Sequence, residues 1–242
     1  MNKFALLFPA LAISCAAFSQ SAEPSGIDAQ RNLMELGSPP NSSVVRVYDN
    51  RYEGVKGTPF FYIDWMKATI TSGNKLYDNL EVKYNVIDNE LLYRNPDGKE
   101  FVLRPQFVDS FTLRDSLLTP GLTFRKYAAL ANVDPALSNR FAVSLYHGTK
   151  LQLVMVPQKN FIKANFEGPY SSGNKYDEIR DDQRVYLLAP ENSVQQVKLS
   201  KKNLLKALPD KQDEVQRYLS ANKTDASTTA GWIKALAYYE SL

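Results

Sequence analysis

The chain holds one histidine and one cysteine, and those two residues limit its chemistry more than anything else in it. Cys15 lies inside an apolar N-terminal run. A cysteine nucleophile, a four-cysteine or histidine-rich zinc site and a c-type haem attachment are therefore excluded from the remainder. A Ser-His-Asp triad has only His147 as its base, and His147 precedes Gly148 in what reads as a hairpin turn. Carboxylates remain. Asp64 beside Trp65, Asp88 with Glu90, Asp109, and Glu178 with Asp181 and Asp182 are candidates for paired acid–base work on a glycan. Such work needs two carboxyls roughly 5–9.5 Å apart, one with a raised pKa. No local motif separates these acids from surface ones, and Asp88 is favoured in its turn for backbone reasons alone. Asp177-Glu178 and Asp181-Asp182 also have the composition of a hard-cation site. The calcium-loop spacing is missing, Gly173 lies upstream of the acids, and a solvated loop without metal is expected.

Aromatic residues offer a different chemistry. Tyr48, Tyr52, Phe60, Phe61, Tyr62 and Trp65 fall close together, and exposed rings of this kind stack on sugars or anchor a protein partner. The same residue types are good strand and core material, so packing competes with binding for them. Phe60, Phe61 and Tyr62 are consecutive and must project to both faces of a sheet. Tyr48, Tyr52, Phe61 and Trp65 are the candidate binding residues. Gly148-Thr149-Lys150 has the letters that end a phosphate-binding loop, but the upstream glycine is missing and the segment reads as a hairpin, so it is set aside. A dinucleotide fingerprint and a nucleophile elbow are also missing, and no cofactor is expected.

The elements that position these residues follow from the periodicity. Met1-Asn2-Lys3 and the apolar run Phe4–Phe18 read as a signal peptide over 1–19, too short for a span of roughly 20 apolar residues. Ala17 and Ser19 occupy the small-residue cleavage positions before Gln20. Ala12-Ile13-Ser14-Cys15 offers an imperfect lipobox as the alternative, and a membrane partner is expected only if Cys15 is acylated. Residues 20–43, rich in Ser, Pro and Asn, read as a flexible leader. From 44 to 199 the chain reads as an antiparallel β-rich body, either one unit or two subdomains divided near 114–140. Leu80, Val82, Tyr84 and Val86 alternate with Glu81, Lys83 and Asn85, which marks a half-buried strand. Asp88-Asn89, Asn95-Pro96-Asp97-Gly98, His147–Lys150 and Pro190–Ser193 supply hairpin turns, and Phe166–Asp182 reads as a long polar loop. Val154 and Val156 are apolar like Leu151 and Leu153, so that strand is expected to be covered on both faces.

From 200 to 242 the period becomes helical. Ser200 is placed to cap a helix ending at Pro209, Asp210 to cap a second, and Thr228 to begin a third that carries Trp232 and Leu236. The expected fold is α+β, mainly β: antiparallel hairpins forming a barrel or packed sheets, followed by a helical C-terminal segment. With 29 basic and 26 acidic side chains the chain carries +3, and loss of Lys3 with the leader leaves +2. The charges are interspersed, so no nucleic acid partner is expected.

Two stretches carry a family likeness. The first is Asp49–Phe60 leading into Trp65 and then Asn79–Tyr93. The second is Leu204–Lys211 with the ending Ala237–Leu242. Together they resemble a family of uncharacterised exported proteins from Bacteroidota. The resemblance implies an envelope location in a Gram-negative cell and brings no activity or catalytic residues. The reading that combines these features is an exported envelope protein that binds a partner protein or a glycan, or serves as an assembly accessory. The alternative is a periplasmic hydrolase that works on glycan with carboxylates alone.

Overall fold

The computed structural model describes residues 51–73, 75–115, 118–166 and 174–242. The signal peptide, the flexible leader, Cys15 and Tyr48 lie outside the described residues. In chain order the strands are β1 (Met66–Ser72), β2 (Lys75–Asn85), β3 (Glu90–Arg94), β4 (Glu100–Leu103), β5 (Ser110–Asp115) and β6 (Leu118–Lys126). They continue with β7 (Phe141–His147), β8 (Gln152–Val156), β9 (Lys159–Ile162), β10 (Glu178–Asp181), β11 (Arg184–Ala189) and β12 (Ser193–Val197). Three α-helices follow: α1 (Lys201–Ala207), α2 (Gln212–Ala221) and α3 (Thr229–Glu240). The fold is α+β and mainly β, with the helices at the C-terminal end.

Ten strands form one antiparallel sheet in the order β12-β11-β8-β7-β6-β5-β1-β2-β3-β4. β9 and β10 pair only with each other as strands and form a separate arm. The large sheet rolls over on itself. Four strand-to-strand steps separate β2 from β7, which in a flat sheet is about 19 Å. The ring of Tyr84 on β2 nevertheless lies 5.8 Å from that of Phe141 on β7. Phe111 and Phe124 stack at 4.5 Å in the space between. The strand alternation explains what fills the roll: Leu80, Val82 and Tyr84 point in and are buried, with Ile70, Leu91, Tyr93 and Leu113 beside them. A polar seam holds the two lips of the roll together. Arg140 donates to the carbonyls of Val86 (2.7 Å) and Ile87 (3.3 Å), and Asn89 Nδ2 donates to Asn139 O at 3.0 Å. The buried Tyr84 hydroxyl donates to Asn89 Oδ1 at 2.9 Å, and burial pushes its pKa above the ordinary tyrosine value.

Past β7 the sheet is covered on both faces. Leu151, Leu153, Leu187 and Val197 meet the helices through Leu204, Val215, Leu219, Trp232 and Leu236. On the opposite side Val154, Val156, Tyr186 and Leu188 meet Leu130 and Leu137, which come from short 3₁₀ turns at Ala128–Asn132 and Pro135–Asn139. Neighbouring residues of β8 thus enter two different cores. Ser200 Oγ accepts from Asn203 N, and Thr228 Oγ1 accepts from Gly231 N, so both cap α1 and α3 as their residue types indicate.

Three details depart from the sequence reading. Asp210 does not cap α2. It lies in a 3₁₀ turn (Pro209–Lys211) and accepts from the Tyr239 hydroxyl, while α2 starts at Gln212. The polar stretch 166–182 ends in a strand, because β10 pairs with β9 through Ile179 opposite Phe161. β2 begins at Lys75 rather than Leu80, running through Asn79 at φ +56°, a conformation that asparagine tolerates.

Candidate functional site

The segment from Arg51 to Trp65 lies outside the large sheet and is strapped to the molecule at two points. Lys56 N donates to Asp177 O (2.9 Å) and Ile179 N donates to Lys56 O (2.8 Å), which lays the segment alongside β10. Phe61 N donates to Tyr84 O (2.8 Å) and Val86 N donates to Pro59 O (2.9 Å), which pins its other end to β2. Between these points Gly57 has φ +97°, and a Cβ there would stand 2.5 Å from Ile179 O, so the position requires glycine.

The strap sorts its consecutive aromatics. Phe61 and Tyr62 turn inward onto the rolled core, with Phe61 edge-on to Phe124 at 5.0 Å and to Tyr62 at 4.9 Å. Phe60 and Trp65 join none of the three cores; both are half-buried. They lie against the outer face of β2 and β3, where alternation sends Lys83 and Arg94. Lys83 Nζ is 4.8 Å from the Phe60 ring centre and 5.5 Å from that of Trp65, and Arg94 Cζ is 4.7 Å from the Trp65 ring centre. These are cation–π distances, and the four side chains form one band of alternating ring and cation. Glu81 completes it, accepting from Arg94 Nε at 2.9 Å and Nη2 at 2.8 Å, with Lys67 Nζ at 3.5 Å. The Arg94 hydrogen bond holds the Glu81 carboxyl below the usual range despite some burial. Burial lowers the Lys83 pKa, with Glu100 and Asp64 pulling it back and Arg94 adding to the fall. Among the described residues Lys83 makes no ion pair.

Tyr52 belongs to a second cluster. Its hydroxyl donates to Asp88 Oδ2 at 3.1 Å, and its ring lies 6.4 Å from Phe161 on the arm. Arg51 ties Asp88 (3.2 Å) and Glu90 (3.5 Å) together, and the buried Asn85 donates to Asp88 Oδ2 at 2.7 Å. The acids singled out by sequence are engaged in the same way. Glu178 meets Lys56 and Arg180, Asp181 meets Lys159, and Asp182 meets Arg184. Asp109 accepts from Gly73 N, and Asp177 accepts from Ala164 N inside its own loop. Asp64 is exposed. Hydrogen bonds hold Asp78, Glu81, Glu178, Asp225 and Glu240 below the usual carboxylate range. A glycosidase acid needs a shift in the other direction. His147 ends β7 opposite Gln152 and is exposed.

Of the four proposed binding residues, Trp65 and Tyr52 are half-buried at the surface in separate clusters, Phe61 packs on the core, and Tyr48 lies outside the described residues. Phe60, Lys83 and Arg94 were not among them. The alternation of β2 did place Lys83 on the polar face. Nothing in the sequence puts Trp65 over a residue 29 positions away. No protein-family model, no curated protein and no solved structure matches this chain, so its own geometry is the basis for a functional reading.

Proposed function

We propose that the protein is an exported, non-catalytic binding protein of the cell envelope whose ligand is a glycan. The band Phe60–Lys83–Trp65–Arg94 is the surface that meets it. The observation that supports this reading is that Trp65 and Phe60 lie outside every core and remain half-exposed, flanked by cations and by Glu81. Half-exposed rings take the C–H face of a sugar, and the flanking ammonium, guanidinium and carboxylate groups hydrogen-bond to its hydroxyls. The hydrolase alternative draws no support from the geometry, because its candidate acids are paired with cations or used as local hydrogen-bond acceptors, apart from Asp64, which is exposed. Export rests on the leader-like segment 1–19.

The two tryptophans provide the test. Trp232 is fully buried and its indole N–H donates to Ala226 O, so it is a silent internal standard, whereas Trp65 reports on the surface. Titrating envelope polysaccharides should change the emission of the wild type and leave Trp65→Phe unchanged. Calorimetry should find binding lost in Trp65→Ala. A panel in which no glycan shifts the emission, or in which binding persists in Trp65→Ala, overturns the reading.

A further inference from the structure

We infer that the β7–β8 turn, Gly148–Leu151, is a carboxylate-binding nest, and that Glu240 at the end of α3 is its resident ligand. Four donors converge on that one side chain. Thr149 N (2.7 Å) and Thr149 Oγ1 (3.1 Å) donate to Oε2, while Lys150 N (3.0 Å) and Leu151 N (2.8 Å) donate to Oε1. Each oxygen receives two hydrogen bonds, and three of the four donors are consecutive backbone N–H groups. Successive amides turned to one side form an anion-binding concavity, and here it is matched to a planar two-oxygen group.

Gly148 supplies an independent observation. Its backbone is not in the left-handed region, so conformation does not explain the glycine. Space does, because a Cβ at this position would fall on the carboxylate carbon and both oxygens of Glu240. Contacts other than Glu240 also hold the turn: Gly148 N donates to Leu151 O at 2.9 Å, His147 pairs with Gln152 across the ladder, and the Leu151 side chain is sunk in the helix-covered core. The Lys150 ammonium lies over the Tyr239 ring, 5.6 Å from its centre, rather than on the carboxylate, so backbone amides are the principal recognition element. The letters Gly-Thr-Lys thus do hold an anion, one that the same chain provides.

The nest is complete on the turn itself, and α3 only delivers the occupant. When the last turn of α3 lifts, the site is open to another carboxylate, such as a glutamate of a peptide partner. The cis tether gives Glu240 a high effective concentration, so outside ligands are excluded while it is docked.

The test uses the full chain with Glu240→Ala and acetate as the probe, against chloride at matched ionic strength. Acetate at about ten times its dissociation constant should raise the folding constant of Glu240→Ala about tenfold. The amide resonances of Thr149, Lys150 and Leu151 should move in the same titration. The wild type, and the double variant carrying Gly148→Ala as well, should respond to acetate no more than to chloride. If Glu240→Ala is unfolded in chloride, acetate should recover folded protein. An acetate response equal to that of the wild type, an equal response when Gly148→Ala is added, or failure of acetate to recover an unfolded variant overturns the inference.

Discussion

Arg140 is the residue on which the roll of the sheet can be tested. Its guanidinium bonds two carbonyls at the β2–β3 turn from the start of β7, so it bridges the lips of the roll. Arg140→Met keeps the aliphatic stem and removes the donors. A hydrogen bond from a charged donor is worth about 1.5–3 kcal/mol, and leaving a carbonyl unsatisfied costs a similar amount. The 3.3 Å contact to Ile87 is the weaker of the two, and the half-buried site lets water replace part of the loss. The expected net cost is about 2 kcal/mol, or a fall in Tm of about 4–8 °C for a domain of this size. Circular dichroism melts of Arg140→Met and of Arg125→Met, an exposed arginine on β6, provide the comparison. The control should stay within about 0.5 kcal/mol of the wild type. Combining Arg140→Met with Asn89→Ala should give less than additive loss, because Asn89 bonds Asn139 in the same seam. If Arg140→Met melts with Arg125→Met, or if the double variant is strictly additive, the seam does not hold the roll and the reasoning fails.

Two further outcomes follow from contacts near the helices. Burial acts to raise the Glu240 pKa, but the N–H groups of Leu151, Thr149 and Lys150 with the Thr149 hydroxyl outweigh it and the carboxyl titrates below its ordinary 4.5. Its contribution to stability is therefore full above that value and lost as pH falls through the depressed one, so the difference in urea midpoint between wild type and Glu240→Gln should shrink on acidification; a difference that grows instead refutes the sign. Gly231→Ala raises intrinsic helix propensity in α3 by roughly 0.5–1 kcal/mol, yet its Cβ falls on the backbone carbonyl of Asp225. Overpacking costs about 1–3 kcal/mol, so the variant should melt lower than the wild type, and a variant that melts higher refutes the steric argument.

What could be read from the sequence was local. The alternation of Leu80–Val86 identifies the inward side chains of β2 correctly and places Glu81 and Lys83 on the other face, but it misplaces Asn85, which is fully buried; the twin apolar sets of β8 anticipate its two cores. Ser200 and Thr228 are caps by residue type and by geometry. β6 was hidden because Pro120-Gly121 has turn composition, whereas the sheet absorbs it at a register shift beside Leu113. Asp210 was misassigned because an acidic residue after proline fits both a cap and a 3₁₀ turn, and the Tyr239 hydroxyl that occupies it comes from another helix. The candidate surface was half visible. Trp65 stood out as an exposed-aromatic candidate, but its cations come from β2 and β3 and meet it only after the strap is laid down. Glu240 gave no signal at all, since its donors lie about ninety residues away and three of the four are backbone groups that any sequence carries.

The arm occupies a telling place in the topology. β8 and β11 are neighbours in the large sheet, with Val156 opposite Arg184. Residues 157–183 therefore leave and return to the sheet at adjacent points, as an insertion into what is otherwise a simple hairpin. An element of that kind can change length or sequence over evolution, or be exchanged in the laboratory, without altering any register in the sheet. The arm also bonds the strap at Lys56, and its exposed Phe161, Phe166 and Tyr176 face solvent. Variation there would leave the scaffold as it is and reshape the strap only around Lys56, because the bonds of Pro59 and Phe61 to β2 fix the end that carries Phe60 and Trp65, so the arm is a surface free to diverge while that end stays in place.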